Sequence, residues 1–379
     1  MTVTVADIIR IMETLAPSRL AETWDNAGLQ VGQKDWPVRR VWVALDPTPD
    51  VMAAASEKGA DLLITHHPLI FKPLKSVDFS TPAGSIILMA SQHQMAIFSA
   101  HTNLDNVAGG VNDVLASKIG LKNLETLGKA MEPEICKLVV YVPAEYEQKI
   151  LNALFETSAG SIGEYSCCSF RNRGKGTFRP GPWAKPFAGE AGKISHADEV
   201  RIETVVAQND VTRVTEYIKD IHPYETMAYD VYPIQNSEFR IPDSNRIQGL
   251  GRIGELDEKM DLASFALKIK EILGLESVKV AGKPDLPVTR AALCTGSGSS
   301  LMNIFFSSGA EVYISGDLRY HDARDAEAQG RGLIDIGHFA SEFMIVEVLA
   351  DRLGKILHEA GMDVTVEACR LEKEPFVSV

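Results

Sequence analysis

Thiol chemistry has little to work with in this chain. Its five cysteines form no Cys-x-x-Cys pattern, and the one close pair, Cys167-Cys168, is adjacent rather than spaced for a zinc site. A disulfide framework is therefore not expected, and the thiols read as reduced and mostly structural. Long apolar runs are also missing, and none reaches the ~18 residues of a membrane span. The stretch Met1-Thr2-Val3-Thr4-Val5-Ala6-Asp7 lacks a basic region followed by an apolar one, so no secretory signal is expected. These features point to a cytoplasmic protein with no membrane partner. Positive charge is short as well, with 38 Lys and Arg against 51 Asp and Glu, for a net charge of -13. Without a basic face to release counterions, nucleic acid is not an expected partner. What remains is an ordinary globular composition, 45% hydrophobic and 23% charged over 379 residues, enough for two or three domains.

Histidine is where the chemistry concentrates. Thr65-His66-His67-Pro68 closes the apolar run Ala60-Asp61-Leu62-Leu63-Ile64, which reads as a buried strand whose C-terminal lip is a ligand position. Pro68 disfavours a helical His67, so the strand turns there and both imidazoles can address one spot. After Met95-Ala96-Ile97-Phe98-Ser99 come His101 and Asp105, and after Leu333-Ile334-Asp335-Ile336-Gly337 come His338 and Glu342. A carboxylate four residues after a histidine shares its helix face. Imidazole with carboxylate suits zinc, iron or manganese. Three such strand ends in a chain with only nine histidines point to a metal site.

The order of elements suggests two α/β halves around an insert. A helix is expected over Val5–Leu15, then strands at Val41–Leu45, at the His66 run and before His101, with helices between them. Strands alternating with helices indicate a mostly parallel sheet. Near the other end, Ala310–Asp317 mirrors Ala60–His67, Gly332–Glu342 mirrors Met95–Asp105, and Ala291–Thr295 mirrors Val41–Leu45. The expected architecture is thus a duplicated, mostly parallel α/β pair of halves, 1–128 and 248–379, with 129–247 inserted. The insert reads strand, helix, two strands, helix, strand, which is the ferredoxin-like α+β order.

Two glycine-rich stretches invite an anion. Arg171–Gly181 is basic and reads either as an anion-binding loop or as a hairpin tip. Thr295-Gly296-Ser297-Gly298-Ser299-Ser300 lies between a strand and a helix, so the amides of Gly296, Ser297 and Gly298 either hold a phosphate or carboxylate or form a tight turn with an N-cap serine.

Leu63-Ile64-Thr65-His66-His67-Pro68-Leu69, Ser99-Ala100-His101-Thr102-Asn103-Leu104-Asp105 and Gly337-His338-Phe339-Ala340-Ser341-Glu342 resemble the signatures of the NIF-three-like family, often labelled GTP cyclohydrolase 1 type 2 homologues. Trp24-Asp25-Asn26 and Ile314-Ser315-Gly316-Asp317 match too, and the middle stretch resembles the PII-like or CutA-like insertion of longer bacterial members, with His222-Pro223-Tyr224-Glu225 as its mark. The resemblance implies a homohexamer with two divalent metal ions per subunit. It makes His66, His67, Asp105, His338 and Glu342 the ligands, with Glu342 as the bridge and His101 as either ligand or neighbour. Metal-dependent hydrolysis of a nucleotide or other small anion is the expected activity, with His101 and His321 as candidates for proton transfer. The competing expectation is a non-catalytic metal-binding or metal-sensing scaffold whose insert binds an effector.

Overall fold

The computed structural model of the chain describes residues 2–128, 135–163, 165–234 and 248–377. It divides into two compact units, Met1–Met131 with Arg246–Val379, and Glu132–Asn245. The expected limits at 128/129 and 247/248 each border a stretch outside the described residues.

The chain begins with a helix, Val5–Leu15, started by a reciprocal cap between Thr4 and Asp7, with Ile8 and Met12 buried on its inner face. The strands that follow are β1 (Gly28–Val31), β2 (Arg40–Ala44), β3 (Leu62–Thr65), β4 (Ala96–Ser99) and β5 (Leu121–Thr126). The middle unit holds β6 (Ile135–Pro143), β7 (Ser169–Phe178), β8 (Ser195–Ala207) and β9 (Tyr229–Pro233). Then come β10 (Arg252–Asp261), β11 (Lys279–Ala281), β12 (Pro287–Ser297), β13 (Val312–Gly316), β14 (Gly332–Asp335) and β15 (Thr365–Ala368).

The first unit contains two sheets, ordered β1-β4-β3-β2-β15 and β11-β14-β13-β12-β10-β5. In each, three neighbours run parallel, β2-β3-β4 and β12-β13-β14, with an antiparallel edge strand outside them, β1 or β11. The two sheets therefore match strand for strand over this core. Their surroundings differ, and the mostly parallel expectation fails for the second sheet, where β10 and β5 are antiparallel as well. The cause is connectivity. β5 ends where the chain leaves for the middle unit and β10 begins where it returns, and Thr126 pairs with Arg252, so outgoing and incoming strands lie side by side in opposite directions.

The sheets do not follow the division of the sequence. Strand β15, from the end of the chain, pairs parallel with β2 in the first sheet, while β5 sits in the second. The preceding helices make the same exchange. Helix Met344–Glu359 buries Ile345, Val346, Leu349, Leu353 and Leu357 with Val41, Val43 and Ile64. Helix Val111–Lys118 buries Leu115 and Ala116 with Phe265, Leu293 and Ile314. At ~1.5–3 kcal/mol for each fully buried large aliphatic side chain, these stripes tie the N- and C-terminal segments together.

Strands β3 and β13 are buried at every position. They carry the chain to one lip, the C-terminal ends of the parallel strands, where open α/β sheets place ligands.

The middle unit runs strand, helix, strand, strand, helix, strand, as its sequence suggests, in an antiparallel sheet ordered β7-β8-β6-β9. Its core joins Leu138 and Val140 to Ile150, Leu154, Val214 and Ile218 of the two helices. Most of the basic glycine-rich stretch is strand rather than loop, since β7 pairs with β8 from Ser169↔Thr204 to Phe178↔Ser195. Arg171 and Arg173 lie 2.8 and 3.7 Å from Glu147, so their charges are already partnered. Among the described residues no helix is long and apolar enough to cross a membrane.

Candidate metal centre

Four imidazoles face one another at the lip of the two sheets, and each is held from behind. The Nδ1 of His66 lies 2.9 Å from the Ala100 carbonyl oxygen. The Nδ1 atoms of His67, His101 and His338 each lie 2.8 Å from a carboxylate oxygen, of Asp46, Asp25 and Asp317 respectively. A carbonyl or carboxylate oxygen only accepts, so each Nδ1 carries the proton and donates it outward. Every Nε2 is thereby turned inward, the arrangement of a metal-ligating histidine backed by an oxygen acceptor.

The inward atoms crowd together. The Nε2 atoms of His67 and His338 are 3.4 Å apart, and Glu342 Oε2 is 3.1 Å from each. His66 Nε2 lies 3.7 Å from both Asp105 Oδ1 and Glu342 Oε1. Ligand-type atoms fall within 4.8 Å of one another in three overlapping groups: His66-His67-His101, His67-His338-Glu342 and His66-Asp105-Glu342. Three of these atoms, His66 Nε2, Asp105 Oδ1 and Glu342 Oε2, are buried without a hydrogen-bond partner. A buried polar atom left unpaired costs ~1–3 kcal/mol, more when charged. One orphaned nitrogen and two orphaned carboxylate oxygens converging from several elements fit a cation, and the imidazole and carboxylate donors suit zinc, iron or manganese.

Without a metal, protons fill the same need for positive charge. Burial pushes His67 down, yet Asp46 and Glu342 outweigh it and hold its pKa at about 10. The close approach of the Glu342 carboxylate leads in His338, which burial opposes and Asp317 reinforces, giving about 9. Burial drives Glu342 up, but the surrounding imidazoles hold it well below the usual carboxylate range. Burial also raises Asp105, against the pull of His66.

The family model Duf34/NIF3 (NGG1p interacting factor 3) matches residues 3–375. The chain belongs to this family. A GTP cyclohydrolase 1 type 2 homolog of Bacillus subtilis is 38% identical over 369 residues, covering 97% of either chain. One of Halalkalibacterium halodurans is 36% identical over 372 residues, 98% of either. A crystal structure of a Bacillus cereus protein related to NIF3 matches with a TM-score of 0.79 at 37% identity, covering 100% of both chains.

All five residues expected as ligands lie in the cluster, and His101 joins them. His101 and Asp105 flank the start and body of helix Thr102–Asn106, and His338 and Glu342 open and close helix His338–Glu342, so each pair shares a face as its spacing requires. His321 is elsewhere. It is exposed on helix Tyr320–Ala328 with its ring against Tyr320 at 5.4 Å, and Asp317, four residues before it, is engaged with His338 instead.

The glycine loop is not an anion cradle at Gly296 or Gly298. Gly296 N–H donates to Ser341 Oγ at 2.8 Å and Gly298 N–H to Ser315 Oγ at 3.0 Å, so both amides are taken. Ser297 is the last residue of β12. Gly296 instead clears space for a side chain. Its φ is +63°, and a Cβ there would lie 2.2 Å from Glu342 Oε1, so only glycine lets that carboxylate into the centre.

Sequence reasoning passed over the three orienting aspartates as such. Asp25 and Asp317 lay inside noted motifs, and Asp46 stands just past the end of β2, as His66 does past β3. A carboxylate at that strand end was the available signal. Glu372 gave none. Its carboxylate accepts from the N–H groups of Leu45 and Asp46 at 2.8 and 2.7 Å, fixing the turn that aims Asp46 at His67.

Proposed function

We propose that this centre holds two divalent ions, zinc, iron or manganese, through His66, His67, Asp105, His338 and Glu342, with Glu342 between them, and that the protein is a hydrolase of an anionic small molecule. The observation that carries this is the set of four histidines whose Nδ1 protons are all donated outward, while the Nε2 atoms of three of them, His66, His67 and His338, lie 3.1–3.7 Å from the buried carboxylates of Asp105 and Glu342. Bound there, the ions would supply Lewis acidity and a nucleophile available at neutral pH.

The chain's own residues do the rest. Asp46, Asp317 and the Ala100 carbonyl fix ring orientation, so the ligand atoms need no rearrangement. Asp25 behind His101 gives an oriented base, the form a proton-transfer pair takes, and His101 is the residue we assign to that role. A cleft of about 1140 Å³ opens beside His67 and His338, its wall bearing Asp317, Asp335, Glu372 and Glu374 against Lys279 and Lys373. Such a wall does not attract an anion, so the substrate's negative group belongs at the ions themselves. Nucleotides and phosphorylated metabolites are the first substrates to screen, in line with the label that the relatives bear.

The matched strand orders favour a duplication of the two α/β halves, and the element order of the middle unit favours a ferredoxin-like insertion of the PII or CutA kind. The homohexamer belongs to the same reading and is tested by light scattering. One observation favours the scaffold reading. The middle unit carries its own cleft of about 450 Å³, lined by Phe178, Phe187, Glu199 and Tyr224, where an effector would fit.

The deciding experiment is elemental analysis of natively purified protein, followed by turnover of a nucleotide and phosphate-ester panel by metal-loaded and metal-stripped forms. Turnover confined to the loaded form supports the hydrolase. No turnover in any metal form, with an effector that binds the middle unit and alters metal affinity, replaces it with the scaffold.

A further inference from the structure

Two large aromatic rings stand uncovered beside the centre. Trp24 is 57% exposed and Phe71 47%, with ring centroids 5.9 Å apart in an edge-to-face arrangement. Both also meet the His101 ring nearly edge-on, at 6.2 and 6.3 Å, and His101 lies in a ligand group with His66 and His67. Single exposed apolar side chains are ordinary, but two fixed against the same residue of a candidate centre call for an occupant.

The rings are held in place by a built network. Asn26 Nδ2–H donates to the Ile70 carbonyl at 2.6 Å, Ile70 N–H donates to Gln30 Oε1 at 3.2 Å, and Gln30 Nε2–H donates back to the Asn26 carbonyl at 2.6 Å. Asp25, next to Trp24, accepts from His101 and from Thr102 N–H, at 2.8 and 3.0 Å. The loop bearing Trp24 is thereby tied both to the segment bearing Phe71 and to the centre. Side chains ordered before a ligand arrives lose less entropy on binding it.

We propose that Trp24 and Phe71 form a packing platform for a planar ring of the substrate, whose anionic group reaches the adjacent ions. This rests on the metal-centre reading and extends it by naming the substrate class: a flat aromatic or heteroaromatic ring system carrying an anionic group. Area selects a small molecule. At about half exposure the two rings present roughly 150–250 Å² in all, far below the ~1,200 Å² of a stable protein interface. Charge selects a neutral ring, because aromatic faces also hold cations but the neighbouring divalent ions repel them.

The test uses the full-length, zinc-loaded protein and two acids of equal charge and similar size, 2-naphthoate and decahydro-2-naphthoate, of which only the first is planar. Their affinities are measured by titration calorimetry for wild type, Trp24→Leu and Phe71→Leu, with zinc content checked by elemental analysis. Leucine keeps an apolar contact and removes the ring. Wild type should prefer naphthoate by roughly tenfold, the scale of one or two aromatic contacts. Each variant should lose most of that preference while keeping its zinc. Equal binding of the two acids by wild type, or a preference that survives in both variants, overturns the platform and leaves the metal reading standing. Failure of the wild type to take up zinc, seen before any acid is added, overturns the metal reading and the platform with it.

Discussion

Replacing Glu342 with Gln separates charge from shape at the crowded point of the centre. The side chain is only 5% exposed, and its Oε2 stands 3.1 Å from the Nε2 atoms of both His67 and His338. Glutamine fits the same space, including the gap that Gly296 leaves, but carries no charge. A pair of unit charges about 4 Å apart contributes about 4 kcal/mol at an effective dielectric of 20. Every ~1.4 kcal/mol is a factor of ten, so losing one such pair should weaken zinc binding by roughly a thousandfold. The amide oxygen remains a neutral ligand and recovers part of this, which leaves a loss of at least about a hundredfold. The amide hydrogens can donate to the facing Nε2 atoms, so the metal-free variant should stay folded. Competition against a chromophoric chelator measures the affinity, and elemental analysis after gel filtration gives the stoichiometry, expected at one ion or fewer per chain. Two ions retained with an affinity within about tenfold of wild type would refute the bridging role.

In metal-stripped protein His67 and His338 titrate at about 10 and about 9, above an unfolded value of about 6.5. The stability they contribute is complete below about pH 6.5 and is lost as pH rises through 9 to 10, so the melting temperature of the stripped protein should fall across that window, and a flat profile counts against the geometry. Asp46→Ala leaves His67 Nδ1 without its acceptor and should weaken zinc binding by about 10–100-fold. Asp46→Asn, which keeps an oxygen acceptor, should lose less, and equal losses in a chelator titration would argue that orientation is not what Asp46 provides. Gly296→Ala meets both the positive φ and the 2.2 Å approach to Glu342, so it should lower stability by about 1–3 kcal/mol in urea unfolding and deplete the metal; unchanged zinc content would contradict that close approach.

The candidate ligands were legible because their signal is local. A short apolar run delivers a histidine to a strand end, and a carboxylate four residues later rides the same helix face. What orients them is not local. The acceptor behind His67 lies 21 residues away and the one behind His101 lies 76 away, so only the folded sheets bring them together. The exchange of β5 and β15 between the sheets was hidden for a related reason. Thr365–Ala368 is partly exposed throughout and carries no apolar run, and its place is decided by the open edge beside β2 rather than by its own pattern. The glycine loop misled because glycine serves two opposite ends, freeing amides for an anion or clearing space for a side chain. Only the positions of Ser341 and Glu342 distinguish them.

The matched sheets also explain why the centre is lopsided. His101 stands two residues past the end of β4 and His338 three past the end of β14, each followed by a carboxylate four residues on. The ends of β3 and β13 correspond as well, yet the first supplies two inward-facing imidazoles, His66 and His67, and the second supplies Gly316 and Asp317. Gly316 cannot be a histidine, because a Cβ there would lie 2.6 Å from His338 N. With that place closed, Asp317 faces the back of His338 and accepts its Nδ1 proton, as Asp46, from past β2, does for His67. One strand end therefore supplies inward-facing imidazoles while its counterpart supplies the acceptor behind another, and the number of imidazoles that converge is set by how closely the backbone of His338 passes its own sheet.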